Sequence, residues 1–142
     1  MNDPLEVLVP VVELESTQQR ILIVEDEPDI RALITFVLER AGYDVVCVKA
    51  VGEAQAAISL YDFDAAVVDL CLPDGYGDEI MGILRATSPQ TRIVQISALA
   101  ATDGIAQNAT VFADAFLPKP FTNAALVAAV AIQPVALTSQ HC

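Results

Sequence analysis

Short strand-like runs recur five times along this chain, two of them (20–24 and 65–68) apolar almost throughout, and helix-spaced stretches separate them. This repetition limits the possible folds more than any other feature. The runs fall at residues 20–24, 43–48, 64–69, 91–97 and 114–117. A brief apolar run with no alternation is the pattern of a strand covered on both faces. Between the runs, Ile30, Leu33, Ile34, Val37 and Leu38 are spaced along one face of a helix over 29–41, which Gly42 stops. Ala54, Ala57 and Ile58 mark a helix over 52–60, and Ile80, Ile83 and Leu84 one over 78–86, after a turn permitted by Gly75 and Gly77. Residues 102–112 read as a weak helix, opposed by Gly104, Thr110 and Val111. An alanine-rich helix spans 121–132. Strand and helix in strict alternation predict an α/β fold, a doubly wound five-stranded parallel sheet of order 2-1-3-4-5. The expected division is an acidic arm at 1–19, a domain at 20–133 and a tail at 134–142. The arm carries an apolar patch at 5–12 that Pro10 interrupts.

Ligands of such sheets bind beyond the carboxyl ends of the strands. The third run, Ala65-Ala66-Val67-Val68, ends in Asp69. Alone, Asp69 reads equally well as a turn aspartate. The other strand ends supply Glu25 and Asp26, then Ser97, then Lys119. Only the second strand, ending at Lys49 and Ala50, breaks the series, and the order 2-1-3-4-5 makes the other four ends contiguous. Part of the acidic stretch after the first strand fits helix capping. Glu27 and Asp29 flank Pro28, a residue suited to the first turn. Glu25, Asp26 and Asp69 would place three carboxylates together, which raise one another's pKa unless a cation compensates. Magnesium prefers such oxygen ligands and serves phosphate chemistry. With an ammonium and a hydroxyl added, the group suits stabilisation of a phosphoryl group in transfer, with Asp69 as nucleophile.

Charge narrows the partners. The chain has 19 acidic and 7 basic residues and a net charge of −12. That disfavours a nucleic-acid surface and an anionic lipid surface. No stretch reads as a membrane span and no basic residue precedes Arg20, as a secretory signal would require. Cys47, Cys71 and Cys142 have neither metal spacing nor an even count, which fits a reduced, cytoplasmic protein. His141, the one histidine, lies beside the C-terminus and is given no catalytic role.

At this point the sequence resembles the receiver domain of two-component response regulators, of the stand-alone type, over about residues 20–133. The motifs are Ile-Leu-Ile-Val-Glu25-Asp26-Glu-Pro, Val-Val-Asp69-Leu-Cys-Leu-Pro-Asp-Gly-Tyr-Gly, Ile-Ser97-Ala and Leu-Pro-Lys119-Pro-Phe. The resemblance implies a flavodoxin-like receiver fold and phosphorylation of Asp69 by a histidine kinase or phosphotransfer protein. It implies Mg2+ held by Glu25, Asp26, Asp69 and the backbone carbonyl of Cys71. Ser97 and Lys119 would contact the phosphoryl oxygens, and Ala98 would leave room for them. Phe116, three residues before the lysine, takes the place of the switch aromatic. Two departures stand out: Phe112 occupies a position where the family usually has glycine, and Phe116 lacks a tyrosine hydroxyl.

Cys71 and Leu99 lie two residues beyond Asp69 and Ser97, and neither holds an attacking water well, so a long-lived phosphorylated form is expected. The residues after the last helix are too few for an output domain. Output is therefore expected through a downstream protein target, with a phosphorelay intermediate or a phosphate sink as alternatives, and a cut fragment of a longer regulator also fits. The chain would catalyse only its own phosphorylation and dephosphorylation. A flavin- or nucleotide-binding module would want a Gly-, Ser- or Thr-rich loop after the first strand, where this chain is acidic. A turnover phosphatase with an aspartate nucleophile would want a second aspartate where Cys71 stands.

Overall fold

The computed structural model describes residues 18–98 and 111–131. At its centre is a parallel sheet of β1 (Arg20–Val24), β2 (Asp44–Val48), β3 (Ala65–Asp69), β4 (Arg92–Ser97) and β5 (Ala115–Pro118). The strand order is the expected 2-1-3-4-5. Four helices are described: α1 (Pro28–Arg40), α2 (Val51–Leu60), α3 (Gly77–Thr87) and α4 (Asn123–Val130).

Two apolar layers explain why the strands show no polar alternation. Leu22, Val24, Ala66 and Val68 turn to one side and pack with Ala54 of α2 and Ile80 and Leu84 of α3. Ile21, Ile23, Val67 and Ile96 turn to the other and pack with Ile34 and Leu38 of α1 and Leu126 and Val130 of α4. Both faces of each central strand are thus dry, and each large aliphatic side chain buried this way contributes about 1.5–3 kcal/mol. The result is a rigid platform whose strand ends are fixed in register.

Local chemistry sets the helix limits. Pro28 opens α1, and Gly42, at a φ of +101°, closes it in the left-handed region that favours glycine. The expected inward face of α1 needs one correction: Leu33 is exposed, as is Phe36, which instead lies under the Arg40 guanidinium at 5.6 Å. In α3, Met81 is buried and Ile83 only partly so. The last helix starts at Asn123, after the Thr122 hydroxyl accepts a hydrogen bond from the Ala125 N–H at 3.0 Å.

After β3, residues Cys71–Leu72 and Gly75–Tyr76 form a small antiparallel ribbon where the sequence suggested only a turn. Its tip carries Asp74, whose carboxylate accepts from the N–H groups of Val51 (2.8 Å) and Gly52 (3.1 Å). Asp74 thereby caps α2 from another part of the chain, and these hydrogen bonds lower its pKa. The side chain of Arg85 does similar work below the sheet. It donates to the carbonyls of Phe112, Pro89 and Thr91 and pairs with Asp114 at 2.6 Å. The ring of Phe112 lies over Gly82 and is partly buried, so this departure from the family pattern is absorbed by packing on α3. Residues 111–112 are a turn; the remainder of the helix expected over 102–112, Leu99, the arm up to residue 17, and the tail with His141 and Cys142 lie outside the described residues.

Candidate functional site

Four strand ends converge. Glu25 and Asp26 follow β1, Asp69 ends β3, Ser97 ends β4, and Lys119 follows β5. One carboxylate oxygen from each of Glu25, Asp26 and Asp69 lies within 4.8 Å of the others. Asp26, Asp69, Cys71, Ser97, Ala98 and Lys119, together with Glu27, line a cleft of about 310 Å³. The sequence-derived metal, acceptor and hydroxyl positions therefore share one opening.

Lys119 is the electrostatic centre. Its Nζ lies 3.1 Å from Asp69 Oδ2, 3.0 Å from Glu25 Oε1 and 3.0 Å from Glu27 Oε1. The main chain holds it in place, because the Lys119 N–H donates to the Ser97 carbonyl at 3.0 Å. A cis bond joins Lys119 to Pro120. Burial alone would lower the lysine pKa, but the three carboxylates outweigh it and hold the ammonium above its ordinary value.

The acids feel the opposite pressure. Glu25 is fully buried and Asp69 nearly so, and desolvation pushes both carboxyls up despite Lys119. Glu25 Oε2 accepts the Glu27 N–H at 3.0 Å. Its Oε1 is ion-paired with Lys119 but accepts no hydrogen bond of good geometry. The Cys71 N–H approaches Asp69 Oδ1 at 3.4 Å. Ser97 is buried at the cleft, whereas Ala98 beside it is exposed. Phe116 is half-buried on β5 opposite Gln95, so it shares a sheet face with Gln95 and with Ser97 two residues on. Phe116 does not line the cleft.

Four contributors escaped the sequence reading. Glu27 is the residue before α1, but its side chain makes no cap hydrogen bond and reaches Lys119 instead. Glu27 is thus no side-chain cap, against expectation, because an ammonium at bonding distance attracts a carboxylate more than neutral N–H groups do. Arg31 donates from α1 to the carbonyls of Glu25 (2.9 Å) and Asp26 (3.2 Å), fixing the loop that carries both acids. An arginine on an otherwise apolar helix turn, soon after an acidic loop, was the available signal. Gly77 was read as a turn residue, yet its role is close approach: a Cβ there would collide with the Asp69 carbonyl oxygen. Gln95 is fully buried with neither amide atom hydrogen-bonded among the described residues, and its place between Val94 and Ile96 in a buried strand was the available signal.

The family model described as the response regulator receiver domain matches residues 21–131. Response regulator protein PilR of Pseudomonas aeruginosa is 36% identical over 104 residues, 73% of this chain and 23% of PilR. The DNA-binding response regulator MtrA of Mycolicibacterium smegmatis is 32% identical over 117 residues, 82% of this chain and 51% of MtrA. The chain thus spans about a quarter to a half of the length of these relatives. Among solved structures, a CheY-like receiver domain protein from Methanospirillum hungatei superimposes with a TM-score of 0.74 at 28% identity, covering 79% of this chain and 90% of that one. TrrA of Thermotoga maritima, solved in complex with Mg(2+)-BeF, gives 0.71 at 26% identity, covering 78% and 95%. No helix among the described residues is long and apolar enough to cross a membrane. With its sheet order, its acidic cleft and this match over most of its length, the chain belongs to the response regulator receiver domain family, the phospho-accepting signalling module of two-component systems.

Proposed function

We propose that Asp69 is the phosphoacceptor and that its donor is a phosphohistidine on a histidine kinase or phosphotransfer protein. A carboxylate oxygen of Asp69 forms the new O–P bond as the N–P bond breaks. The imidazole leaves with the electron pair and takes up a proton. The observation that carries this reading is the Lys119 ammonium 3.1 Å from Asp69 Oδ2, beside the carboxylates of Glu25 and Asp26. A cation fixed at the acceptor stabilises charge as it develops on the phosphoryl oxygens.

The donor set also suits Mg2+. All three side chains offer hard oxygens, and Glu25 Oε1 is buried with the Lys119 ammonium beside it at 3.0 Å, a position a cation already favours. Glu25, Asp26, Asp69 and the backbone carbonyl of Cys71 would hold the ion, which when bound adds positive charge for the transferring group. Ser97 and Lys119 would donate to phosphoryl oxygens, with Ala98 leaving space, and Phe116 would follow Ser97 as the switch aromatic. Cys71 and Leu99 would set the lifetime of the acyl phosphate. The receiver unit is assigned to 20–133, between an arm at 1–19 and a tail at 134–142. The net charge of −12 supports a protein rather than a nucleic acid as the direct target.

The test is mass measurement after incubation with acetyl phosphate and Mg2+. The wild type should gain one phosphoryl group, and the gain should vanish without Mg2+ or in Asp69→Asn. No gain in the wild type would overturn the reading.

A further inference from the structure

Glu27 stands apart from the three carboxylates that cluster for a metal. Its backbone is fixed whatever its side chain does: the N–H bonds Glu25 Oε2 at 3.0 Å, and the carbonyl accepts the Arg31 N–H at 2.9 Å. The side chain caps nothing. It reaches a residue 92 positions away and meets the Lys119 ammonium at 3.0 Å. That ammonium has three N–H donors and faces three carboxylates, of which only Glu27 lies at the exposed rim of the cleft (side chain 58% exposed).

We infer that Glu27 is a positioning residue that holds Lys119 when a divalent cation claims the neighbouring carboxylates. The inference rests on the Mg2+-dependent reading above. Among the described residues, the Lys119 ammonium is the cation that Glu25, Glu27 and Asp69 share. With a dication held by Glu25 and Asp69, the ammonium would lose its share of those oxygens and be repelled. Glu27 then offers the ammonium a carboxylate already at bonding distance. Lys119 yields to the metal without swinging into solvent, and it stays at the mouth where a phosphoryl anion must enter. The more highly charged phosphoryl group draws it back from Glu27. Among the described residues, Glu27 is the carboxylate outside the metal cluster that pairs with this ammonium; without it the ammonium would oppose the incoming cation.

Magnesium affinity tests this directly, by calorimetric titration of the full chain as wild type, Glu27→Gln, Glu27→Asp and Asp29→Asn. The aspartate variant keeps the charge but withdraws the carboxylate by one methylene. Asp29 is an exposed acid in the first turn of α1 and controls for charge alone. Both Glu27 variants should bind Mg2+ roughly five- to ten-fold more weakly, the range expected from losing one unit-charge contact at about 3–4 Å in water. Asp29→Asn should stay within about two-fold, its charge being distant and screened. If Glu27→Asp matches the wild type, or if Asp29→Asn weakens binding as much as Glu27→Gln, charge alone is responsible and the holding role is overturned. Equal affinity in all four proteins overturns it too, while leaving Mg2+ binding intact. A wild type that binds no Mg2+ removes the parent reading as well.

Discussion

The α-carbon of Gly77 packs directly against the main-chain carbonyl of Asp69. The first turn of α3 is thereby pressed onto the end of β3, and the Gly77 N–H donates to the Leu70 carbonyl at 2.7 Å. No side chain fits between them, so the acceptor's backbone position depends on a glycine eight residues later. Gly77→Ala should cost about 1–3 kcal/mol, the usual range for forcing a methyl into a packed site. It should also slow phosphoryl acceptance, because Asp69 moves relative to Lys119. Urea unfolding and the acetyl phosphate assay measure the two effects. Unchanged stability would show that α3 yields without strain.

Asp69 opposes the fold in its ionised form, even with Lys119 beside it. Burial raises its pKa, so folding disfavours its ionised form. The sign follows: this group favours the fold below its unfolded pKa and loses that contribution as pH rises through the higher folded value. At neutral pH without metal, Asp69→Asn should therefore be more stable than the wild type, by about 1 kcal/mol, as is common for residues kept for function. Saturating Mg2+ should reverse the order, since a ligand at a hundred times its Kd adds about 2.7 kcal/mol to the protein that binds it. Thermal melts with and without Mg2+ decide this.

Gln95 offers a second route to stability. Its amide is fully buried and unbonded, and an unsatisfied buried polar group costs about 1–3 kcal/mol. Gln95→Met keeps the length of the side chain and removes the amide, so it should raise the urea midpoint by an amount worth about 1 kcal/mol or more. A lower midpoint would mean that the amide is stabilising where it lies.

Asp114 contributes to stability on the acid limb. Burial alone would raise its pKa, but hydrogen bonds from the Ile93 N–H (2.8 Å) and Arg85 (2.6 Å) outweigh it and hold it below the ordinary aspartate range. A lowered folded pKa gives stability that is present above the unfolded value and is lost as pH falls through the folded one. Asp114→Asn should destabilise the protein by about 1 kcal/mol at pH 7, a modest figure because the pair is partly exposed. The difference should shrink below about pH 4, near the unfolded aspartate pKa. A difference independent of pH would mean that packing, not charge, holds this corner.

Cys71 lines the cleft beside Asp69 and offers a weak sulfur donor where an amide would hold water. Cys71→Asn should shorten the life of the phosphorylated protein several-fold, followed by loss of the phosphoryl mass after donor removal. An unchanged decay would assign the lifetime elsewhere.

The sequence by itself determined the sheet, because five short strand-like runs alternating with helix-spaced stretches pack as one parallel sheet between helices, its central strands buried on both faces. It also placed Glu25, Asp26, Asp69, Ser97 and Lys119 together, since strand order alone brings those ends to one edge. What it could not supply were contacts between side chains far apart in the chain. Glu27 looked like a helix-capping acid and proved to face Lys119; Gly77 looked like a turn residue and proved to be a point of contact with Asp69; and Asp74 caps α2 from 22 residues away. Local propensity is a property of neighbours along the chain. The partner of a charge, or the space left for a methyl group, is set by neighbours across the fold, and only the tertiary structure chooses those.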